Sequence, residues 1–159
     1  MPDSQTTQSR AGEILQTVIR SGMVRREDTA LIFYDLDLLR SRIRELADCF
    51  PPGTLHALAI KANPLIRVME FTRDVSAFTG VEAASMGEVT LALKCGYPSA
   101  RIVYDSPVKT VQELAFALNA GIHINVDNLA ELDRVSKLIG KTTPAGTLGL
   151  RINPQVGTG

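Results

Sequence analysis

Residues 121–140, GIHINVDNLAELDRVSKLIG, decide how the fold is read. Ile122, Ile124 and Val126 alternate with His123, Asn125 and Asp127, the two-residue period of a strand with one apolar face. Asn128 comes next and Glu131 stands three residues on, a capping-box pattern in which side-chain oxygens satisfy orphan amides at a helix start. Gly140 marks the stop, where a residue without a Cβ takes the left-handed conformation most cheaply. A strand, a polar strand end, a capped helix and a glycine make one unit.

The unit recurs along the chain. Strands are expected at 54–63 (TLHALAIKAN), 79–85 (TGVEAAS), 100–106 (ARIVYDS), 122–128 and 147–154 (TLGLRINP). Ser85 with Glu88 and Thr110 with Glu113 repeat the capping box, and Gly96 and Gly121 repeat the stop. Strands alternating with helices of this length pair in parallel through right-handed crossovers, so the class is α/β. Parity narrows it further. Leu58 and Ile60 oppose Ala57, Ala59 and Lys61, and Leu150 and Ile152 oppose Gly149, Arg151 and Asn153. A doubly wound sheet wants both faces apolar. A barrel with its site at the strand C-terminal ends tolerates small and polar residues inward. The expectation is a partial TIM-type (β/α)8 barrel with five βα units in residues 36–159, an N-terminal piece of a longer barrel, since five units alone leave an unprotected sheet edge.

Residues 1–35 are out of phase with the repeat and form the other expected domain segment. They hold a polar tail, an amphipathic helix with Ile14, Leu15, Val18 and Ile19 on one side, and a strand-like ALIFYD at 30–35. The following helix should bury Leu38, Leu39, Ile43 and Leu46.

Composition excludes several classes of function. Seventeen basic and seventeen acidic residues cancel, and no basic run is interleaved with aromatics, which argues against nucleic acid. No apolar stretch reaches the roughly 18 residues of a membrane span, and the opening MPDSQTTQSRAG lacks a signal-peptide pattern, so a cytoplasmic location is expected. Cys49 and Cys95 form no C-x-x-C pair, and with only His56 and His123 besides, no metal site is expected.

Lys61 is the chemical singularity. It closes an apolar strand just before Asn63 and Pro64, which suit a helix cap and first position, and a barrel delivers such an amine to its mouth. Partial desolvation there favours the neutral amine that attacks a carbonyl. The competing structural reading is a lysine snorkelling to solvent.

Six segments carry a resemblance: FYDLDLLRSRIREL (33–46), ALAIKANP (57–64), GVEAASMGEVTLALKCGYP (80–98), RIVYDSPVKT (101–110), INVDNLAEL (124–132) and LRINPQVG (150–157). In order and spacing the chain resembles the alanine-racemase-like, fold-type III pyridoxal-phosphate enzymes, and among them the diaminopimelate, ornithine and arginine decarboxylases. That resemblance implies a barrel plus a β domain that the 30–35 strand joins, with pyridoxal 5′-phosphate as cofactor, held on Lys61 as a Schiff base. It implies an amino-acid substrate and a homodimer whose site is shared between subunits.

Other positions carry over singly. Glu82 stands where the family usually has Asp near the cofactor. Glu88 matches a family acid near the site, although its capping box with Ser85 is reason enough for it. Arg151 matches the arginine of the R-x-N-P strand end, and a pair with Glu82 or Asp127 would explain it structurally. His123 reads as a satisfied core histidine and His56 as structural. The segment YDSPVKT departs from the family's usual third strand and leaves the subfamily open. The family's ring-stacking histidine, phosphate loop and second-domain groups would follow Gly159, so the 159-residue chain by itself is expected to be inactive. The function expected is that of a decarboxylase's N-terminal part; the alternatives are an amino-acid racemase or a noncatalytic truncated homologue that binds a partner chain.

Overall fold

A computed structural model describes residues 4–140 and 145–152. Two compact units divide at Asp35 and Leu36. In the first, helix α1 (Ser4–Arg20) half-buries Ile14 and Val18 and leaves Leu15 and Ile19 exposed. The Arg10 guanidinium pairs with the Asp35 carboxylate. The strand expected at 30–35 is absent, and this stretch is irregular. A β-prone run becomes a strand only when a second strand accepts its hydrogen bonds, and among the described residues none pairs with it. Leu31, Ile32, Phe33 and Tyr34 are all exposed.

The second unit opens with α2 (Leu36–Asp48), in which Ile43 is buried and Leu39 half-buried while Leu38 and Leu46 are exposed. The expected four-residue stripe is therefore only half realised. The repeat follows: β1 (His56–Ala59), α3 (Ile66–Val75), β2 (Thr79–Ala83), α4 (Met86–Lys94), β3 (Ile102–Tyr104), α5 (Val111–Ala120), β4 (His123–Val126), α6 (Leu129–Ile139) and β5 (Leu148–Leu150). The strands form one five-stranded parallel sheet in chain order. This is the α/β arrangement expected, with strands shorter than the sequence suggests because the polar strand ends leave the ladder.

Local chemistry explains most boundaries. Thr110 and Glu113 make a complete capping box on α5. Ser85 and Asn128 likewise accept the amides of Glu88 and Glu131, but those two carboxylates reach one residue further back, to the amides of Ala84 and Asp127. Gly96 and Gly121 take positive φ, 80° and 77°, whereas Gly140 stays right-handed at −58°, so it does not make the left-handed stop expected of it. Helix α3 begins at Ile66 and not at Pro64. Pro64 disfavours a helical conformation in Asn63, which sits extended and turns its carboxamide oxygen to the Leu65 amide at 3.3 Å.

One face of the sheet is buried under helices. Val81, Ala83, Ile102, Tyr104, Ile124 and Val126 lie there with Val89, Leu114, Leu118 and Val135 of the helices, all at most 3% exposed. Arg101 supports the strand starts, its Nη1 donating to the carbonyls of Arg73, Ser76 and Thr79 at 3.1–3.2 Å. His56 is half-buried and packs edge-on against Phe50, a structural role.

Two outcomes are expected from this packing. A Cβ on Gly80 would run into the Arg101 carbonyl, so Gly80→Ala should destabilise the second unit by about 1–3 kcal/mol, read as an earlier urea midpoint; an unchanged midpoint would contradict the close approach. Burial first, then the Glu113 carboxylate, pushes the Tyr104 phenol up from 10.0 to about 12. Because the folded value is the higher, the stability linked to Tyr104 is complete below pH 10.0 and is lost as pH rises through about 12. Absorbance at 295 nm should show a phenol ionising only near that pH, a step missing in Tyr104→Phe.

Candidate active site

Alternation sends the remaining side chains of the strands to the opposite face, on which, among the described residues, no helix of the second unit packs. Ala57 and Ala59 of β1, Glu82 of β2, Val103 of β3, His123 and Asn125 of β4 and Gly149 of β5 line it, all of them exposed or half-buried. The strand C-terminal ends add Lys61, Asp105, Asp127 and Arg151. Small residues leave space on this face and charged ones cluster at its upper edge.

Lys61 lies in a 3-10 turn, Ile60–Ala62, immediately after β1, and so just beyond the strand expected to hold it. Parallel register sets Ala59 beside Glu82. The Lys61 Nζ comes 3.8 Å from Glu82 Oε2. The glutamate side chain is 19% exposed but the lysine side chain is 65% exposed, so the desolvation expected at Lys61 is not supplied by the described residues. What the fold does supply is a carboxylate partner on the neighbouring strand.

Arg151 joins a second group. Its backbone amide donates to the Val126 carbonyl at 2.9 Å, continuing the β4–β5 ladder. Its Nη1 lies 3.4 Å from Asp127 Oδ1 and 3.8 Å from Asp105 Oδ1. Of the two partners the sequence suggests, Asp127 is the one met. The Oδ1 of Asp105 is shut off from solvent and among the described residues accepts no hydrogen bond, with this guanidinium as its ion-pair partner. Among the described residues no ion pair joins the Lys61–Glu82 group to the Arg151 group.

The other candidates are engaged locally. Glu88 accepts the Ala84 amide at 2.7 Å, so its carboxylate closes the start of α4. His123 is half-buried, with Nδ1 2.7 Å from Thr147 Oγ1 and Nε2 2.9 Å from Asn125 Oδ1. Opposite Asn125 the ladder has Gly149, where a Cβ would collide with that amide oxygen; the missing side chain makes room for the pair.

Sequence reading passes over Asp105 and Lys109. Asp105 could have been found by analogy, because the dipeptides Tyr104-Asp105 and Val126-Asp127 put an aspartate at the same place after neighbouring strands. Lys109 carries no such signal, yet it is a fully buried charge. Its side chain is 0% exposed and that of its partner Glu131 1%, with Nζ 3.1 and 3.2 Å from the two carboxylate oxygens.

Known proteins share both sequence and fold with this chain. The family model for the pyridoxal binding domain of pyridoxal-dependent decarboxylases matches residues 36–159. The diaminopimelate decarboxylase of Aquifex aeolicus is 30% identical over 149 residues, 92% of this chain and 35% of that protein. The L-glutamyl-[BtrI acyl-carrier protein] decarboxylase of Niallia circulans is 30% identical over 136 residues, 85% of this chain and 31% of that one. The chain thus spans about a third of the length of these relatives. Among solved structures, diaminopimelate decarboxylase from Helicobacter pylori, complexed with L-lysine, superposes with a TM-score of 0.74 at 25% identity, covering 85% of this chain and 34% of that one. With the helix-free face, the strand-end lysine and the family match in agreement, the chain belongs to the pyridoxal-dependent decarboxylases through their pyridoxal binding domain, and its cofactor is pyridoxal 5′-phosphate.

Proposed function

We propose that this chain is the cofactor-holding part of an amino-acid decarboxylase of the diaminopimelate and ornithine type, with Lys61 as the amine to which pyridoxal 5′-phosphate attaches. The observation that carries the reading is the approach of Lys61 Nζ to Glu82 Oε2, 3.8 Å apart on neighbouring strand ends. The residues present fit the cofactor. The Lys61 amine lies beside Glu82 at the end of a face on which Ala57 and Ala59 carry only methyl groups, and the buried, unbonded Asp105 oxygen beside Arg151 leaves a polar valence for a bound group to meet.

When bound, the cofactor supplies an electron sink for the carbon that loses carbon dioxide. The protein's part is to hold and orient. Glu82 sets its carboxylate 3.8 Å from Lys61 Nζ, an ion-pair contact that keeps the amine directed along the strand ends. Arg151, steadied by Asp127, offers donors to an anionic group on the cofactor or substrate. Glu88 serves through the helix start that it closes, which fixes the segment following Glu82. The substrate is an amino acid, the assembly is a homodimer, and residues 1–35 belong to the second domain of the full enzyme.

The test is reductive trapping. Borohydride treatment of the purified chain with pyridoxal 5′-phosphate, followed by peptide mass mapping, should label Lys61 saturably in preference to Lys94, Lys109, Lys137 and Lys141. Lys61→Ala should abolish that label, and Glu82→Gln should weaken it severalfold. Label scattered over the exposed lysines would reject the assignment and favour a noncatalytic homologue.

A further inference from the structure

We propose that Lys109 and Glu131 are positioning residues for the site: their buried pair pins the ends of β3 and β4 so that Asp105 and Asp127 are held apart at the spacing that seats Arg151 between them. This rests on the reading of the helix-free face as the cofactor site. Lys109 spends all three ammonium protons in a fixed way, on the Ser106 carbonyl at 2.6 Å, the Asn125 carbonyl at 2.8 Å and the Glu131 carboxylate. Glu131 in turn accepts the Asp127 amide at 2.8 Å. The bonds therefore grip the residue after Asp105, the residue two before Asp127, and Asp127 itself. Each aspartate is within one residue or two of a clamped backbone group, and both carboxylates face Arg151, at 3.8 and 3.4 Å.

Stability alone is a poor account of this pair. Taking two charges out of water costs about as much as their attraction returns, and a well-packed apolar pair of equal volume would hold the helix to the sheet as well. An apolar pair could not bind two carbonyls and an amide from different strands. The Lys109 ammonium also sits over the Tyr104 ring, 5.5 Å from its centre, which anchors it to the last residue of β3. The clamp is therefore tied to the sheet core on one side and to the charged strand ends on the other.

The experiment uses the full chain carrying Lys109→Gln with Glu131→Gln, which removes both charges together and leaves no unpaired one. Two readouts are taken alongside the urea midpoint: the Nε–H resonance of Arg151, and the pyridoxal 5′-phosphate concentration that half-saturates borohydride labelling of Lys61. The folded double variant should shift the Arg151 resonance and raise the half-saturating concentration about tenfold, and the same change in an Arg151→Gln background should have almost no further effect. An unmoved Arg151 resonance in a folded variant, or an equal loss of labelling in the Arg151→Gln background, would overturn the proposal. If the parent chain does not label at Lys61, the cofactor reading fails on its own, and the Arg151 resonance decides the positioning claim. If the double variant does not fold, Glu131→Asp, which keeps the charge but withdraws it by one methylene, takes its place with the same outcomes.

Discussion

Burial on one side of a parallel sheet is the constraint from which the second unit follows. Successive residues of a strand point to opposite faces, so once Ile102, Tyr104, Ile124 and Val126 are covered by helices, Val103, His123 and Asn125 must face the other way. Parallel pairing in chain order then lines those residues up strand by strand and brings all the strand ends with their following loops to one edge. That edge collects the residues with chemistry: Lys61, Glu82, Asp105, Asp127 and Arg151. Their proximity needs no special sequence beyond alternation and register.

The two lysines near this edge show how burial divides roles. Lys61 is largely exposed, and among the described residues its ion-pair partner is Glu82 at 3.8 Å, a loose contact that leaves its amine accessible. Lys109 is fully enclosed, with every proton committed, and is chemically inert while the fold lasts. A buried ammonium is tolerated only when paired and hydrogen-bonded, and Glu131 together with two strand-end carbonyls meets that requirement. Exposure thus separates the lysine proposed to hold the cofactor from the lysine proposed to position the strand ends. Glu82 and Glu131 divide in the same way, the first half-buried beside the exposed Lys61 amine and the second bound to the Asp127 amide.

Helix starts connect the scaffold to this edge. Ser85, Thr110 and Asn128 each cap the helix that follows a strand, so the loops leaving β2, β3 and β4 are short and tied at both ends. The reach of Glu88 and Glu131 past their caps, to Ala84 and Asp127, extends helical order into the site loops themselves. The loop after β1 is built differently. Pro64 delays its helix, and Lys61 stands in the 3-10 turn that precedes it.

Much of this was legible in the residues. The two-residue alternation in IHINVDN, the capping pairs and the glycines at 96 and 121 announce strands, helices and stops because each reflects a local preference of a few neighbouring residues. The segments around Lys61 and Arg151 mark the family for the same reason: they are contiguous. Tertiary structure decided what depends on partners distant in the chain. ALIFYD has every local mark of a strand and forms none, because a strand exists only with a second one beside it. Leu38 and Leu46 have the spacing of a buried stripe and stay exposed, because burial is set by what packs opposite. Lys109 and Glu131 are 22 residues apart, and only the pairing of β3 with β4 brings them together, so no reading of spacing could find the clamp. Sequence determines the periodic pattern and the reactive residue types; three-dimensional neighbours determine which charges are buried, which are free, and therefore which act.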